Sequence, residues 1–265
     1  MSFERPKIET GADRANTGAA ALFADSLRAS IRRDPLSASA RLVPRRANVY
    51  TAGGRDGNVY LIEKGQVKSV VVTAAGKECV LAVYAANDIF GELCLAGGER
   101  AETATAMKET LVRQIPCHAL LALLARDGLL AEFVRYLAAR AVEQQQIITD
   151  LATADSEHRL AATLLRLARK VGQQDPRSLR LEEPPSHQEL SEMVGTTRPR
   201  ITRFMRRLRD RGLIEFSGPF LIVKEHALGK YLGAAISPAT LPCASRGRQS
   251  ESNLPGLSNI EPTAL

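Results

Sequence analysis

Seven arginines fall between positions 198 and 211 (Arg198, Arg200, Arg203, Arg206, Arg207, Arg209 and Arg211), and Asp210 is the only acid among them. A guanidinium is always charged, and its planar fork matches phosphate oxygens and the O6/N7 edge of guanine bidentately. A helix face that is merely solvated mixes charges of both signs. This one does not, so an anionic partner is expected. Ile201, Phe204, Met205 and Leu208 recur between the arginines at helical spacing and are the predicted core stripe.

The preceding residues add a second helix and a tight turn. Ser186 and Glu189 have the spacing of a capping box, in which each residue satisfies the other's backbone N–H. Leu190, Met193 and Val194 then give an apolar face. Gly195 follows where the chain needs a left-handed turn. Thr197 is the predicted cap of the second helix, and Pro199 sits in its first turn, where a missing N–H does no harm. Leu213–Phe216 and Phe220–Val223, around Ser217-Gly218, read as a two-stranded wing. Two short helices, a turn, a basic second helix and a wing predict binding to duplex DNA.

Other elements must carry this unit. From Leu42 to Pro116 the chain reads as short strands broken by turns: Asn58–Glu63, Gln66–Thr73, Glu78–Tyr84 and Leu111–Ile115. Many short strands at this spacing imply a sandwich or barrel. Between Leu129 and Ala152 the pattern is one long helix. Along it Leu130, Val134, Leu137, Ala141, Gln144, Ile148 and Leu151 alternate by four and three, as in a dimerising seam. Ala19–Arg32 reads as a short helix ending before Asp34-Pro35. His158–Val171 opens the DNA-binding unit, and residues 237–265, rich in Ser and Pro, read as a disordered tail.

Composition sets the outer limits. The 265 residues suffice for two cores, and 45% hydrophobic with 25% charged residues is ordinary for a globular chain. The net charge of +7 suits a nucleic-acid partner. No apolar run reaches the roughly 18 residues of a membrane span, and the polar start, MSFERPKIETGADRAN, lacks a signal-peptide core. A cytosolic protein with no membrane partner is therefore expected. Cys79, Cys94, Cys117 and Cys243 show no CxxC spacing, so buried free thiols are the default reading. A thiol sensor at Cys94 is the alternative. His118, His158, His187 and His226 are scattered, and no metal site is expected. Ala75-Gly76-Lys77 lacks the upstream glycine of a P-loop, and no nucleophile elbow or dinucleotide fingerprint occurs, so an enzyme is not expected.

The segments NVYLIEKGQVKSVV, NDIFGELCLAGGERAETATA and HRLAATLLRLARK, followed by the helix-turn-helix, give the chain a resemblance to the Crp/Fnr superfamily of bacterial transcription regulators. It covers roughly Leu42 to Leu232. The resemblance implies an α+β fold: an N-terminal double-stranded β-helix or jelly-roll barrel, a long central dimerisation helix and a C-terminal winged helix-turn-helix. The matching boundaries are an N-terminal extension at 1–35, partly disordered, a cyclic-nucleotide-binding-like barrel at 36–127, the central helix at 128–155, the DNA-binding domain at 156–232 and a tail at 233–265.

It also implies sites. In the phosphate-binding cassette of such barrels, Gly91, Glu92 and Leu93 match the opening motif. Glu92 would accept the ribose hydroxyl, Arg100 would pair with the cyclic phosphate and Ala101 would offer a backbone N–H. Gln144 and Gln145 fall near the positions that face adenine. Glu102 departs from the pattern by placing a second negative charge beside the phosphate. Two readings stay open. One is a site for cyclic AMP or another cyclic nucleotide. The other is an effector-free barrel in which Glu92 and Arg100 pair with each other. The implied DNA contacts are Ser186, Gln188, Thr196, Thr197, Arg198, Pro199, Arg200, Thr202, Arg203 and Arg206. Pro199 stands where many relatives carry a base-reading glutamate. The expected partners are double-stranded DNA, a second copy of the chain and RNA polymerase. The alternative function is a cyclic-nucleotide-binding regulatory subunit of an enzyme or channel, which would have no use for an arginine-rich reading helix.

Overall fold

Alternation of apolar and polar residues closes the N-terminal half into two facing sheets. The computed structural model describes residues 11–74, 76–175 and 178–235. Helix α1 (Gly11–Arg33) leads into strands β1 (Ser39–Val43), β2 (Asn48–Tyr50), β3 (Asn58–Lys64), β4 (Gln66–Val72), β5 (Glu78–Ala85) and β6 (Ile89–Phe90). A 3-10 turn at Glu92–Ala96 then precedes β7 (Thr103–Ala106) and β8 (Thr110–Pro116). The strands pair antiparallel in the orders β1-β8-β3-β6 and β2-β7-β4-β5. Val43, Val49, Tyr50, Tyr60, Ile62, Val67, Phe90 and Val112, drawn from both sheets, fill the space between them. This is the expected jelly-roll barrel, with strand limits within about two residues of the periodicity.

Helix α2 (Cys117–Arg126) caps the barrel and leads into α3 (Leu130–Thr153), the long central helix. Helix α1 lies against α3. The Phe23 ring sits 5.4 Å from that of Phe133 and 5.7 Å from that of Tyr136, and Ala24, Leu27 and Ile31 are buried beside them. The helix expected at Ala19–Arg32 is present and begins earlier, at Gly11. An apolar stripe, Phe23-Leu27-Ile31, docks the helix from within that segment, while residues 1–10 lie outside the described ones. The same contacts divide the predicted α3 seam. Leu137 is half-buried in its own chain's cluster, whereas Leu130, Val134, Ile148 and Leu151 are 58%, 55%, 64% and 50% exposed.

The C-terminal third comprises α4 (Ser156–Val171), β9 (Gln173–Asp175), β10 (Ser178–Leu181), α5 (His187–Val194), α6 (Arg198–Asp210), β11 (Ile214–Ser217), β12 (Phe220–Val223) and α7 (Glu225–Ala235). The wing is wider than the predicted hairpin, because β9 and β10 extend it to a sheet in the order β11-β12-β10-β9. Its core gathers Leu160, Leu164, Leu190, Val194, Ile201, Leu208, Leu221 and Val223, so the predicted faces of both short helices point inward. The expected tail from 237 onward lies outside the described residues.

The cysteines require a correction. Cys94, in the 3-10 turn, and Cys117, at the start of α2, form a disulfide, and Cys79 is an exposed free thiol. They are 23 residues apart and match no spacing motif. Between them the chain runs through β7 in one sheet and β8 in the other, and that return brings the turn and α2 together, which linear spacing does not reveal. Among the described residues no helix is long and apolar enough to cross a membrane, and no group of three potential ligands gathers for a metal.

Candidate nucleic-acid interface and effector pocket

The reading helix is built as its residue types require. Ser186 Oγ accepts from the Glu189 N–H at 3.2 Å, and Glu189 accepts from the Ser186 N–H at 2.8 Å, so the capping box closes. Gly195 ends α5 at φ 68°, a left-handed conformation that favours glycine. Losing the cap in Ser186→Ala should cost about 1 kcal/mol of stability, read as a lowered urea midpoint. Thr197 is the N-cap of α6, but its hydroxyl makes no capping bond. Pro199 lies within the first two positions of the helix. Thr197 thus holds the predicted cap position, while Pro199 removes one of the two N–H groups that a capping oxygen could take.

Helix α6 buries Ile201, Phe204, Met205 and Leu208 and exposes its arginines. Those arginines are not equivalent. Arg207 and Arg211 both donate to Glu157 of α4, at 2.9 and 3.0 Å, and Arg209 pairs with neighbouring Asp210 at 3.6 Å. Among the described residues no carboxylate pairs with Arg198, Arg200, Arg203 or Arg206, and all four are exposed. The charge excess seen in sequence thus narrows to four free cations. Glu157, about forty residues upstream of α6, escaped notice because only the fold brings it there.

The other expected DNA contacts fall into two groups. Thr197, Pro199 and Thr202 are exposed, and the Thr202 hydroxyl lies 2.9 Å from His187 Nδ1. Gln188 is exposed as well and donates to Glu192 at 2.8 Å. Thr196 is buried, so its side chain is not displayed to a partner in this arrangement. The turn between α5 and α6 packs toward the barrel there. Gly76 and Glu78, from the β4–β5 hairpin, line an open cleft of about 460 Å³ with Gln188, Glu192, Thr196 and Arg198. Lys68 of β4 holds this junction, 3.6 Å from Glu192 and 4.0 Å from Glu189. Lys170 of α4 adds a 3.0 Å pair with Asp88 of the barrel.

At the cassette, Gly91 adopts φ +80°, and a Cβ there would meet Arg100 at 3.1 Å and the Asn58 carbonyl at 3.2 Å. Glycine is therefore required both by conformation and by close approach. The Arg100 side chain is 4% exposed. Its guanidinium donates to the carbonyls of Gly91 and Asn58 and to the Asp56 carboxylate, and lies 4.0 Å above the Tyr50 ring. Glu102, the apparent intruder, accepts from the Tyr50 hydroxyl at 2.9 Å. Burial, then the Glu102 charge, pushes the Tyr50 phenol well above its usual range, so it remains a donor. Burial works against the Asp56 charge, but hydrogen bonds from Arg100 and Tyr60 more than offset this and hold its carboxyl below the usual carboxylate range.

Glu92 does not pair with Arg100, which corrects one of the two readings of the cassette. It faces Arg140 of α3 at 3.6 Å. Arg140 is buried and also donates to the Ile89 carbonyl and to the Tyr84 hydroxyl, at 3.2 and 3.0 Å. Burial pushes the Tyr84 phenol up to about 12, with Arg140 opposing it. Gln144 and Gln145 are exposed, one turn beyond Arg140, so the helix has passed the cassette by the time it reaches them. Leu93 and Ala101 are exposed as well. Arg140 was missed because the arginine in LAARAVEQQQ reads as surface charge. Its position off the apolar seam was the available signal.

A barrel with a cassette arginine, a central helix wired to that cassette and a winged helix displaying four unpaired arginines define a DNA-binding regulator with a sensor-type domain. Two family models agree: residues 40–127 match the cyclic nucleotide-binding domain and residues 158–231 the Crp-like helix-turn-helix domain. The chain is 31% identical to the global nitrogen regulator of Synechococcus elongatus, over 64% of this chain and 78% of that protein. It is 28% identical to the CRP-like cAMP-activated global transcriptional regulator of Mycobacterium tuberculosis, over 69% and 82%. Among solved structures, a CRP-family transcriptional regulator from Thermus thermophilus superposes with a TM-score of 0.60 at 25% identity, covering 73% of this chain and 96% of that one. The chain belongs to the Crp/Fnr family of DNA-binding transcription regulators.

Proposed function

We propose that the chain acts as a homodimer on a two-fold symmetric operator, in the cytoplasm, by binding rather than by catalysis. The observation that carries this reading is the stripe of Leu130, Val134, Ile148 and Leu151, half or more exposed along one helix of a single chain. Large apolar side chains in such a row call for a partner, and heptad spacing suits a second copy of the same helix. Paired reading helices then reach successive major grooves about 34 Å apart. Selection of binding sites from random duplex DNA tests this. Recovered sites with inverted half-sites about ten base pairs apart, centre to centre, support it, and single unpaired half-sites refute it.

Within that reading, Ser186, Gln188, Thr197, Arg198, Pro199, Arg200, Thr202, Arg203 and Arg206 form the DNA face. Thr196 joins only if the turn is freed from the barrel. Arg206 serves as a phosphate contact. Arg206→Ala should weaken all sequences alike and reduce the salt slope of binding by about one, measured by fluorescence anisotropy across a salt series. RNA polymerase is the further partner of the DNA-bound dimer.

The barrel takes an anionic effector of the cyclic-nucleotide class, with Gly91, Glu92, Leu93, Arg100 and Ala101 as its cassette. Two buried polar atoms without hydrogen-bond partners support a ligand here: Arg100 Nε and Glu92 Oε2. Buried polar atoms normally find partners, and these belong to the two side chains that would grip phosphate and ribose. Arg140 and Lys68 supply the route outward, one to the central helix and one to α5. Calorimetric titration with cyclic AMP, cyclic GMP and cyclic di-GMP tests the effector class.

A further inference from the structure

We propose that Asp56 is a built-in counterion standing in the place of the effector's anion, so that a ligand must displace it to reach Arg100. This rests on the effector reading above.

The Asp56 carboxylate takes part of the Arg100 fork, the part an incoming phosphate oxygen would need. It is well held. Besides Arg100, the Tyr60 hydroxyl donates to it at 2.9 Å and the Asn58 N–H at 3.0 Å. The Asn58 side-chain amide adds a fourth donor at 3.4 Å, and donors converging in this way on one anionic group suit a phosphate equally well. The Asp56 side chain is 31% exposed, against 4% for Arg100, so the carboxylate is the solvent-accessible member of the pair. The loop that carries it, residues 51–57, is tied through its middle, two residues before Asp56. The Gly53 N–H donates to the Arg100 carbonyl and the Arg100 N–H to the Gly54 carbonyl, both at 2.8 Å. Those bonds keep the loop docked while the carboxylate turns away. Arg100 Nε remains unpartnered even with Asp56 in place, so one carboxylate does not satisfy the guanidinium.

Asp56 therefore sets the threshold of the site. An anion that binds must exchange for the carboxylate and inherit its donors. Removing the carboxylate opens the same position without altering Arg100, Glu92 or Gly91.

The experiment titrates the full chain with cyclic AMP and with cyclic GMP in five forms: wild type, Asp56→Ala, Asp56→Asn, Arg100→Ala and the Asp56→Ala/Arg100→Ala double variant. The expected result is at least about tenfold tighter binding of one nucleotide by Asp56→Ala than by wild type. Asp56→Asn, which keeps the shape and loses the charge, should lie between them. Neither form lacking Arg100 should bind. Thermal melting gives an independent readout. Asp56→Ala should melt below wild type, because a buried arginine has lost its partner, and the nucleotide should restore the loss. Equal affinity in wild type and both Asp56 variants would overturn the proposal while leaving the effector reading intact. Folded Asp56 variants that bind neither nucleotide would overturn both, since a vacated position that accepts no anion is not an anion site.

Discussion

Replacing Val134 and Ile148 together with aspartate should leave a folded chain that sediments as a monomer and binds its preferred operator about 10²–10⁴-fold more weakly. Both side chains are more than half exposed in the single chain, so the substitution removes little of its own core. Leu137, although on the predicted seam, is a poorer choice. It packs within its own chain, and a charge there would confuse unfolding with dissociation. In a two-fold pair the double variant places four carboxylates in an apolar contact. Burying an unpaired charge costs several kcal/mol, more than a helix pair of this length recovers. The loss of DNA affinity follows from geometry, not from the reading helix. Arg198, Arg200, Arg203 and Arg206 are untouched, but each half-site must then be bound without the effective concentration that a tethered second module provides. Analytical ultracentrifugation and an operator titration test the two halves separately. A dimer that persists in the variant places the interface elsewhere. A monomer with undiminished operator affinity removes the need for symmetry.

Local sequence carried the parts of the fold whose signals are local. The capping box at Ser186, the glycine turn at Gly195 and the stripe Ile201-Phe204-Met205-Leu208 each rest on residues within one or two helical turns, and all three appear in the structure. What was not legible depends on residues far apart in sequence. Glu157 neutralises Arg207 and Arg211 across about fifty residues, Tyr136 and Phe133 find Phe23 more than a hundred residues away, and Cys94 finds Cys117 only after the chain has passed through a strand of each sheet. The cassette shows the same division. Gly91 is required by its own backbone and immediate neighbours, so a short motif carries it. The partners of Glu92 and Arg100 are set by tertiary contacts with Arg140 and Asp56, and the motif is silent about both. A family pattern therefore located the site, while the charges that determine what can enter it had to come from the three-dimensional arrangement.

Arg203→Ala should cost about 1–3 kcal/mol on the preferred operator and flatten base preference at one symmetric pair of positions. The first turns of α6 carry the candidates that can reach base edges: Arg198, Arg200 and Arg203. Pro199 lies beside them and cannot accept from cytosine, so the operator should differ at that base pair from those of relatives with a glutamate there. Of the arginines, Arg207, Arg209 and Arg211 already have carboxylate partners within the chain and are poor readers. Arg198 lines the cleft against the β4–β5 hairpin. Arg203 is exposed one turn into the helix, with its guanidinium 5.7 Å from the Phe204 ring, which limits its freedom without consuming its donors. A fork presented in this way suits the O6/N7 pair of guanine, and alanine leaves those acceptors unpaired. The contrast with Arg206→Ala is the decisive comparison. Loss of a phosphate contact weakens every sequence and lowers the salt slope, whereas loss of a base contact weakens the preferred site most and leaves nonspecific binding nearly unchanged. Binding-site selection on both variants separates the two. If Arg203→Ala retains the wild-type preference at every position, base reading passes to Arg198 or Arg200.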